Sequence, residues 1–211
     1  MARARTRARQ IALFVEGETE QVLPAFFHKW LDPQVRDKVG IRAVKFQGVS
    51  EYLDDLPTKL GLYLDECRAD YVVGLVDLYG LPPSRIDLSG CATIAEKVTK
   101  ARREIRRLIP DEFKHLFRQH FAVHEVEAWL LAYPERWPSE VRDQITRRPP
   151  EQVNFDEPPA KFLKRILGGK YKKTVRARNI FPRVDPQTAI DKCPFLKLLA
   201  DDLLRIARQL Q

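Results

Sequence analysis

Apolar residues in the first half of the chain form short continuous runs that alternate with segments of helical spacing. The continuous runs are typical of strands buried on both faces and lie at residues 11–15, 41–46, 71–76 and 121–124. Helical spacing is found from Glu18 or Thr19, from Ser50 as an N-cap, from Cys91 and from Glu125. Strands that alternate with helices are joined by parallel crossovers, so the pattern predicts an open parallel α/β sheet of about four strands flanked by helices.

The second half of the chain has a different character. Prolines interrupt the pattern between Pro134 and Pro159, a basic helical segment begins near Ala160, and a last helix begins at Asp185 or Pro186. We therefore expect a disordered basic tail over residues 1–10, an α/β domain over 11–133, and a basic helical extension packed on it over 134–211.

Composition places the chain among ordinary globular proteins. It is 44% hydrophobic with a mean hydropathy of −0.38, which excludes a wholly disordered chain. No apolar stretch reaches the roughly 20 residues that span a bilayer, and the Arg-rich start lacks the features of a secretory signal. The 3 cysteines are widely spaced, which excludes a full disulfide framework and fits no zinc site. We expect a cytoplasmic protein without a membrane partner.

The net charge of +8 is unevenly distributed. Basic residues concentrate in the tail, in residues 97–107 and in residues 161–178, which together carry +17 and leave −9 for the rest of the chain. A basic excess of this kind favours a polyanionic partner such as nucleic acid.

Acidic residues follow three of the four predicted strands. Glu16 follows the first, Asp77 the third, and Glu125 and Glu127 the fourth, while Glu20 lies one helical turn beyond Glu16. Ligands of open parallel sheets bind beyond the carboxyl ends of the strands. Clustered carboxylates repel one another unless a divalent cation such as Mg²⁺ or Mn²⁺ joins them, so the sequence predicts a shared acidic site.

Each of these acids also has a purely structural explanation. Glu20, Glu125 and Glu127 lie at predicted helix starts, where a carboxylate is favoured by the helix dipole and by capping. Asp77 could form an Asx turn. Acids after three parallel strands are harder to explain as unrelated caps, but the alternative stays open for each residue alone.

Four motifs carry a resemblance to known proteins. Val15-Glu-Gly-Glu-Thr-Glu20 resembles the E-G-x-T-E signature that opens TOPRIM domains of OLD-family nucleases, and residues 75–82 lie where that fold carries its aspartate motif. Together with His124-Glu-Val-Glu-Ala128 and Asp191-Lys-Cys-Pro-Phe195, they resemble a TOPRIM-like (Rossmann-like) domain-of-unknown-function family, number 4276, from about Ile11 to Leu204.

The resemblance implies a site for Mg²⁺-dependent phosphodiester chemistry. It makes Glu16 a metal ligand or general acid/base, Glu20 a metal ligand, Asp77 the first aspartate of a D-x-D motif, and Glu127 a late catalytic glutamate. Tyr79 stands where the second aspartate would be. Whether one or two metals bind is therefore open, with Glu125, Glu127 or Asp87 as substitutes for the missing ligand.

Basic residues supply candidates for binding phosphate. Lys161, Lys172 and Lys173 are the first candidates for a cation near the scissile phosphate because their surroundings resemble family motifs, and Lys161 is the one expected to be catalytic. The candidate nucleic-acid-binding residues are Lys100, Arg103 and Arg107 on one helix face, and Lys164, Arg165, Lys170, Lys172 and Lys173 in the extension. Each could equally belong to a solvated basic face. Tyr171 and Phe162 could stack bases of a single strand, although core packing suits Phe162 better.

These features predict a metal-dependent nuclease acting on DNA, RNA or tRNA. The resemblance also implies a role in bacterial phage defence beside an ATPase of the ABC/AAA kind, and the chain contains no phosphate-binding G-x-x-x-x-G-K-[ST] loop of its own. A non-catalytic module that binds nucleic acid or the ATPase is the alternative, and nucleotidyl transfer or a phosphatase-like step is a third. Oligomerisation stays open.

Overall fold

A computed structural model describes residues 8–66, 68–145, 149–152, 158–168 and 171–211. Its centre is a sheet of four parallel strands: β1 (Gln10–Val15), β2 (Gly40–Lys45), β3 (Tyr71–Asp77) and β4 (Phe117–Ala122). The strands lie side by side in the order β2-β1-β3-β4, with Leu13 opposite both Ala43 and Val73. The predicted open parallel α/β sheet is confirmed.

Helices cover both faces of this sheet. They are α1 (Leu23–Leu31), α2 (Val49–Asp65), α3 (Ile94–Leu108), α4 (Glu127–Leu130), α5 (Ser139–Ile145), α6 (Pro159–Leu167), α7 (Lys173–Ile180), α8 (Pro186–Lys192) and α9 (Pro194–Gln209). Within the described residues, no helix combines the length and apolar character that crossing a membrane requires.

The strands separate two hydrophobic cores. On β1, Ile11, Leu13 and Val15 face one core, whereas Ala12 and Phe14 face the other, as the two-residue period of a strand requires. The helix that follows β1 packs on the first side, and the helices that follow β2 and β3 pack on the second. The connections therefore change sides between β1 and β3, which makes the carboxyl ends of these two strands the switch point of the sheet.

The extension forms most of one layer. Buried residues of α6 to α9 share a single core with α1 and β1, and include Phe162, Phe181, Leu199 and Leu203. The second core is built mainly from α2, α3 and the strands between them. The C-terminal third of the chain is thus part of the same sandwich as the sheet.

The fourth strand differs from its prediction. Apolar character alone predicts it at residues 121–124, but β4 begins at Phe117 and contains the buried polar residues Gln119 and His120. Gln119 accepts a hydrogen bond of 2.5 Å from the Tyr52 hydroxyl, and His120 Nε2 lies 2.9 Å from Asp202 Oδ2. These partners satisfy polar groups inside the core, which the hydrophobic pattern could not reveal.

The predicted helix over residues 125–133 is also shorter in the structure. His124 and Glu125 both have left-handed backbone conformations, with φ of 58° and 68°, which no α-helix can include. The helix that follows them, α4, therefore spans only Glu127–Leu130.

Other predicted helices also differ from the structure, and α3 begins at Ile94 with Thr93 as its N-cap instead of at Cys91. The N-cap of α2 is Gly48 at a φ of 101°, not Ser50. The first predicted helix is divided into a 3₁₀ turn at Thr19–Val22 and α1, because Pro24 favours a helix start. The single last helix is two, since Pro194 has no N–H and begins α9 instead of continuing α8.

Arg9 and Gln10 have defined structural roles. Arg3, Arg5 and Arg7 lie outside the described residues, but Arg9 pairs with Asp70 at 3.1 Å and Gln10 is the first residue of β1. The strand therefore begins one residue earlier than predicted, inside the region predicted to be disordered.

Candidate acidic site at the edge of the sheet

Two of the predicted acids meet at the switch point. Glu16 directly follows β1 and Asp77 ends β3, and the pairing of Val15 with Leu75 places these strand ends side by side. The backbone N–H of Asp77 donates a hydrogen bond of 3.2 Å to Glu16 Oε2. The backbone of one strand end therefore orients the carboxylate that follows the other.

Gly80 keeps space above this pair. It ends the 3₁₀ turn Leu78–Gly80, which folds back over the strand ends. A Cβ atom at Gly80 would lie 3.4 Å from Asp77 Cβ and 3.6 Å from Glu16 Oε2. A side chain there would be in van der Waals contact with both residues, so glycine leaves this side of the pair uncovered.

A groove of about 420 Å³ lies beside Glu16 at the ends of β1 and β2. Its lining includes Glu18, Lys45 and Gln47. Glu18 accepts a hydrogen bond from Lys45, and Arg178 of α7 lies 3.9 Å from the same carboxylate. The hydrogen bond from Lys45 is the main reason that the pKa of Glu18 is lowered. The groove is thus bordered by both acidic and basic groups.

Glu20 lies close to the loop after β1. Its side chain is buried within the 3₁₀ turn Thr19–Val22, and Oε2 is 3.3 Å from the position of a Cβ at Gly17. The side chain therefore folds back toward residue 17 in the loop after β1.

Glu125 has a structural role that the sequence left open. Its Oε2 accepts a hydrogen bond of 2.9 Å from the backbone N–H of Ala160, near the start of α6. A carboxylate at that position satisfies an otherwise unbonded N–H group and complements the helix dipole. Glu125 thus connects the end of β4 to the extension.

Glu127 begins α4 and is fully buried. It lies near Tyr171, whose hydroxyl is buried without a hydrogen-bond partner among the described residues. Burial raises the pKa of Tyr171, and the negative charges of Glu127 and Glu125 raise it further. These two acids therefore share an environment with Tyr171 beside the sheet.

The five predicted ligands do not form one cluster. Within the described part of the chain, no group of three or more His, Cys, Asp or Glu side chains is arranged to hold a metal ion. The structure instead brings Glu16 and Asp77 together. This pair fits Mg²⁺, which proteins commonly hold through one or two carboxylates while water and substrate phosphates complete its shell.

The extension brings basic residues to the same edge. Helix α7 packs against the 3₁₀ turn Thr19–Val22 and against α4, which places Arg178 beside Glu18. Lys161 is exposed and follows Ala160, the residue that Glu125 binds. Lys164, Arg165 and Lys172 are exposed, whereas Lys170 and the side chain of Lys173 lie outside the described residues.

The basic face of α3 is less available than predicted. Arg103 and Arg107 are exposed, but both bond to Glu104 between them, at 3.3 and 2.5 Å. Lys100 is half-buried, and its charge helps to lower the pKa of Asp87, after the stronger hydrogen bonds from Ser89. Lys97 is not among the predicted binding residues, although the start of α3 lies at the carboxyl edge because the helix follows β3.

An aromatic pair at this edge is also absent from the sequence predictions. The rings of Tyr79 and His124 are stacked, with centroids 4.8 Å apart and planes 10° apart, and Lys97 Nζ lies 5.1 Å from the Tyr79 centroid. Tyr171, a predicted candidate for base stacking, is buried in the core, so that prediction is wrong, whereas Phe162 packs in the core as its preferred interpretation has it. Tyr79 is exposed because it lies in the turn Leu78–Gly80. The amino-acid sequence around it does not indicate that its ring faces solvent.

Comparison with known proteins identifies one family. The family model described as Domain of unknown function (DUF4276) matches residues 15–204, which include both carboxylates of the pair and most of the extension. No curated protein and no solved structure gives a significant match.

Proposed function

The chain belongs to the family described as Domain of unknown function (DUF4276), and we propose that it is a metal-dependent nuclease that hydrolyses phosphodiester bonds. The observation that carries this proposal is the pairing of Glu16 with Asp77 at the switch point of a parallel sheet. Ligand sites of such sheets lie at this point, and paired carboxylates are the donors that a hard divalent cation prefers.

Glu16 and Asp77 would hold Mg²⁺ or Mn²⁺. A bound ion would polarise a phosphate oxygen and lower the pKa of an attacking water. The N–H of Asp77 keeps Glu16 Oε2 oriented, and Gly80 places no side chain against the pair. We also propose a relationship to TOPRIM domains, which is supported by the motifs at residues 15–20 and 75–82.

The surrounding charges support a nucleic-acid substrate. Lys45 and Arg178 border the groove next to Glu16, and Lys161 projects from the first turn of α6. Cations in such positions attract the phosphate backbone independently of sequence. We therefore propose DNA or RNA as the substrate and the cytoplasm as the place of action.

A cleavage assay with matched variants tests this function. Wild type, Glu16→Gln and Asp77→Asn are incubated with plasmid, single-stranded DNA and tRNA in Mg²⁺ or Mn²⁺. Each substitution is expected to lower the rate on the order of 100-fold, because the charge that holds the metal is lost. Glu112→Gln is the control, since this exposed acid precedes β4 at the opposite edge of the sheet. Equal rates in all four proteins contradict the proposal.

Tyr79 favours a second candidate function. It stands where the resemblance places a second metal-binding aspartate, and its ring is exposed beside a lysine. A non-catalytic module that binds nucleic acid, or an ABC/AAA-type ATPase in a phage-defence system, would need no second metal ligand. Calorimetric titration separates the two: nucleic-acid binding without any Mg²⁺ or Mn²⁺ binding at millimolar concentrations favours the module.

A further inference from the structure

One exposed aromatic side chain lies next to the carboxylate pair. Among the residues that the structure describes, Tyr79 is the only Phe, Trp or Tyr that is exposed, at 50%. It follows Asp77 by two positions within the turn Leu78–Gly80, and that turn packs over Glu16. An exposed ring at the mouth of a polar site is unusual, because burial would gain free energy from the hydrophobic effect.

The ring of Tyr79 is supported on one face by His124. His124 is 8% exposed and stacks on one face of Tyr79. Its left-handed backbone, with a φ of 58°, costs free energy, and such conformations concentrate at functional sites. Because His124 is buried, its ring has little freedom to move away from Tyr79. Tyr79 thus stacks on a ring that the fold holds in place.

A cation accompanies the ring. Lys97 projects from the first turns of α3, and its Nζ lies over the Tyr79 ring, 5.1 Å from the centroid. The lysine side chain is long and flexible, so a stacking base can displace the ammonium from the ring, and the ammonium can then bind the adjoining phosphate. An aromatic ring with an adjacent cation matches the two parts of a nucleotide, a base with a π face and a charged phosphate.

We propose that Tyr79, backed by His124, stacks a nucleobase and that Lys97 binds the adjoining phosphate, which makes single-stranded nucleic acid the preferred substrate class. This inference rests on the proposed function, since it takes the edge that carries Glu16 and Asp77 as the nucleic-acid site. Bases in a duplex are stacked on their neighbours and cannot reach the ring, whereas those of a single strand can. A base held at Tyr79 would place the backbone of its strand near the carboxylate pair.

Binding in EDTA tests the stacking independently of cleavage. A single-stranded oligonucleotide containing 2-aminopurine is titrated with wild type, Tyr79→Phe and Tyr79→Ala at low salt, and affinity is followed by anisotropy. Tyr79→Ala is expected to weaken binding about tenfold and to abolish the stacking-dependent quenching of the fluorescent base, whereas Tyr79→Phe retains both within about twofold. Leu198→Ala removes a similarly exposed apolar side chain from α9 and serves as the control.

Lys97→Gln tests the phosphate contact. The slope of the logarithm of the binding constant against the logarithm of salt concentration is expected to fall by about 0.7, the value for one phosphate contact on a single strand. Equal affinity of wild type and Tyr79→Ala, absence of single-strand binding by the wild type, or an equal loss of duplex binding would overturn the proposal. Failure of the nuclease proposal can be distinguished from failure of this one. In that case no cleavage is observed, while the binding results described here are still obtained.

Discussion

The two faces of the sheet are covered in different ways. On one face, α2 and α3 each come next in sequence after a strand of the sheet and form a core with their own neighbours in sequence. On the other face, α1 shares its core with α6 to α9, which come from the last third of the chain. The first layer depends on local connectivity, whereas the second forms only when the chain returns to the sheet.

This difference also divides the candidate site. The paired carboxylates lie at the carboxyl ends of β1 and β3, which both layers enclose, and the lysine beside Tyr79 belongs to the locally formed layer. Arg178 and Lys161 reach the same edge only through the returning layer. The carboxylates at this edge therefore depend on the strands, whereas Arg178 and Lys161 depend on the returning layer. Substitutions can alter the acidic and the basic groups separately.

Matched core deletions are expected to have the largest effects on stability. Leu56 of α2 and Leu199 of α9 are both fully buried, one in each core. Replacing either by alanine is expected to cost about 2–5 kcal/mol of unfolding free energy, because a cavity replaces buried methyl groups. Since both layers share the sheet, each variant should still unfold in a single transition by urea denaturation. Two transitions, of which only one moves in each variant, would show that the layers unfold independently.

Two glutamates on opposite faces provide the next comparison. The buried Glu151 accepts hydrogen bonds from Trp129 Nε1 and from the N–H groups of Phe195 and Leu196, at 2.9, 2.7 and 3.1 Å. Glu151→Ala leaves these donors unpaired in the core, so we expect a loss of about 3 kcal/mol.

Glu51 is the matched residue on the other face. It accepts the N–H of Gln47 near the start of α2 and pairs with Lys59, but its side chain is 31% exposed. Glu51→Ala is expected to destabilise the fold much less than Glu151→Ala, since water replaces the lost partners. Urea denaturation of both variants measures the difference. Equal losses of unfolding free energy would contradict the inference that the three buried hydrogen bonds of Glu151 stabilise the fold.

The contact between β4 and α9 should make stability depend on pH. Burial alone would raise the pKa of Asp202, but hydrogen bonds from His120 and Arg205 outweigh it and lower the pKa. A carboxylate with a lowered pKa stabilises the fold above its unfolded pKa of about 3.9, and this contribution is lost as the pH falls through the folded value. Asp202→Asn should remove about 1–2 kcal/mol at pH 7 and much less in acid.

The neighbouring Asp201 is the control for this prediction. It is about half exposed and pairs with Lys197 of its own helix. Asp201→Asn should change stability by less than about 0.5 kcal/mol at either pH. The unfolding temperature of each variant is measured as a function of pH. The two variants are expected to depend on pH differently, and the same pH dependence in both would refute the prediction.

The smallest expected effect concerns the groove where the layers meet. Glu18 bonds to Lys45 and lies near Arg178, so it competes with a phosphate for both cations. Glu18→Gln should raise the affinity for single-stranded nucleic acid about twofold to fivefold at low salt, and the gain should disappear at high salt. Glu66→Gln, which removes an equally exposed partner of Arg68, is the control. A lower affinity of Glu18→Gln would show that the carboxylate assists binding.

The strands and the acidic pair are largely predictable from sequence. A continuous apolar run identifies a strand buried on both faces, and strands that alternate with helices must lie parallel. The carboxyl ends of such strands share one edge, which is why chain order alone is enough to place Glu16 and Asp77 together. The boundaries of β1 and β3 differ from prediction by a single residue each.

The elements near β4 are less predictable for a physical reason. Gln119 and His120 are polar, yet they are buried because Tyr52 and Asp202, distant in sequence, bond to them. Likewise, the left-handed pair His124 and Glu125 is held by a stacked ring and by the N–H of Ala160. No local pattern contains these partners.

The sequence by itself determined the parallel sheet, the segregation of charge and the acids at the strand ends. Each of these depends on the hydrophobic period of a short segment or on the order of segments along the chain, and both can be read from the sequence. Only the tertiary structure decided which acids meet, which bases reach them and which aromatic ring stays exposed. Those outcomes depend on contacts between segments that lie up to about 160 residues apart, such as Glu18 with Arg178. They follow from how the two helical layers close over one edge of the sheet.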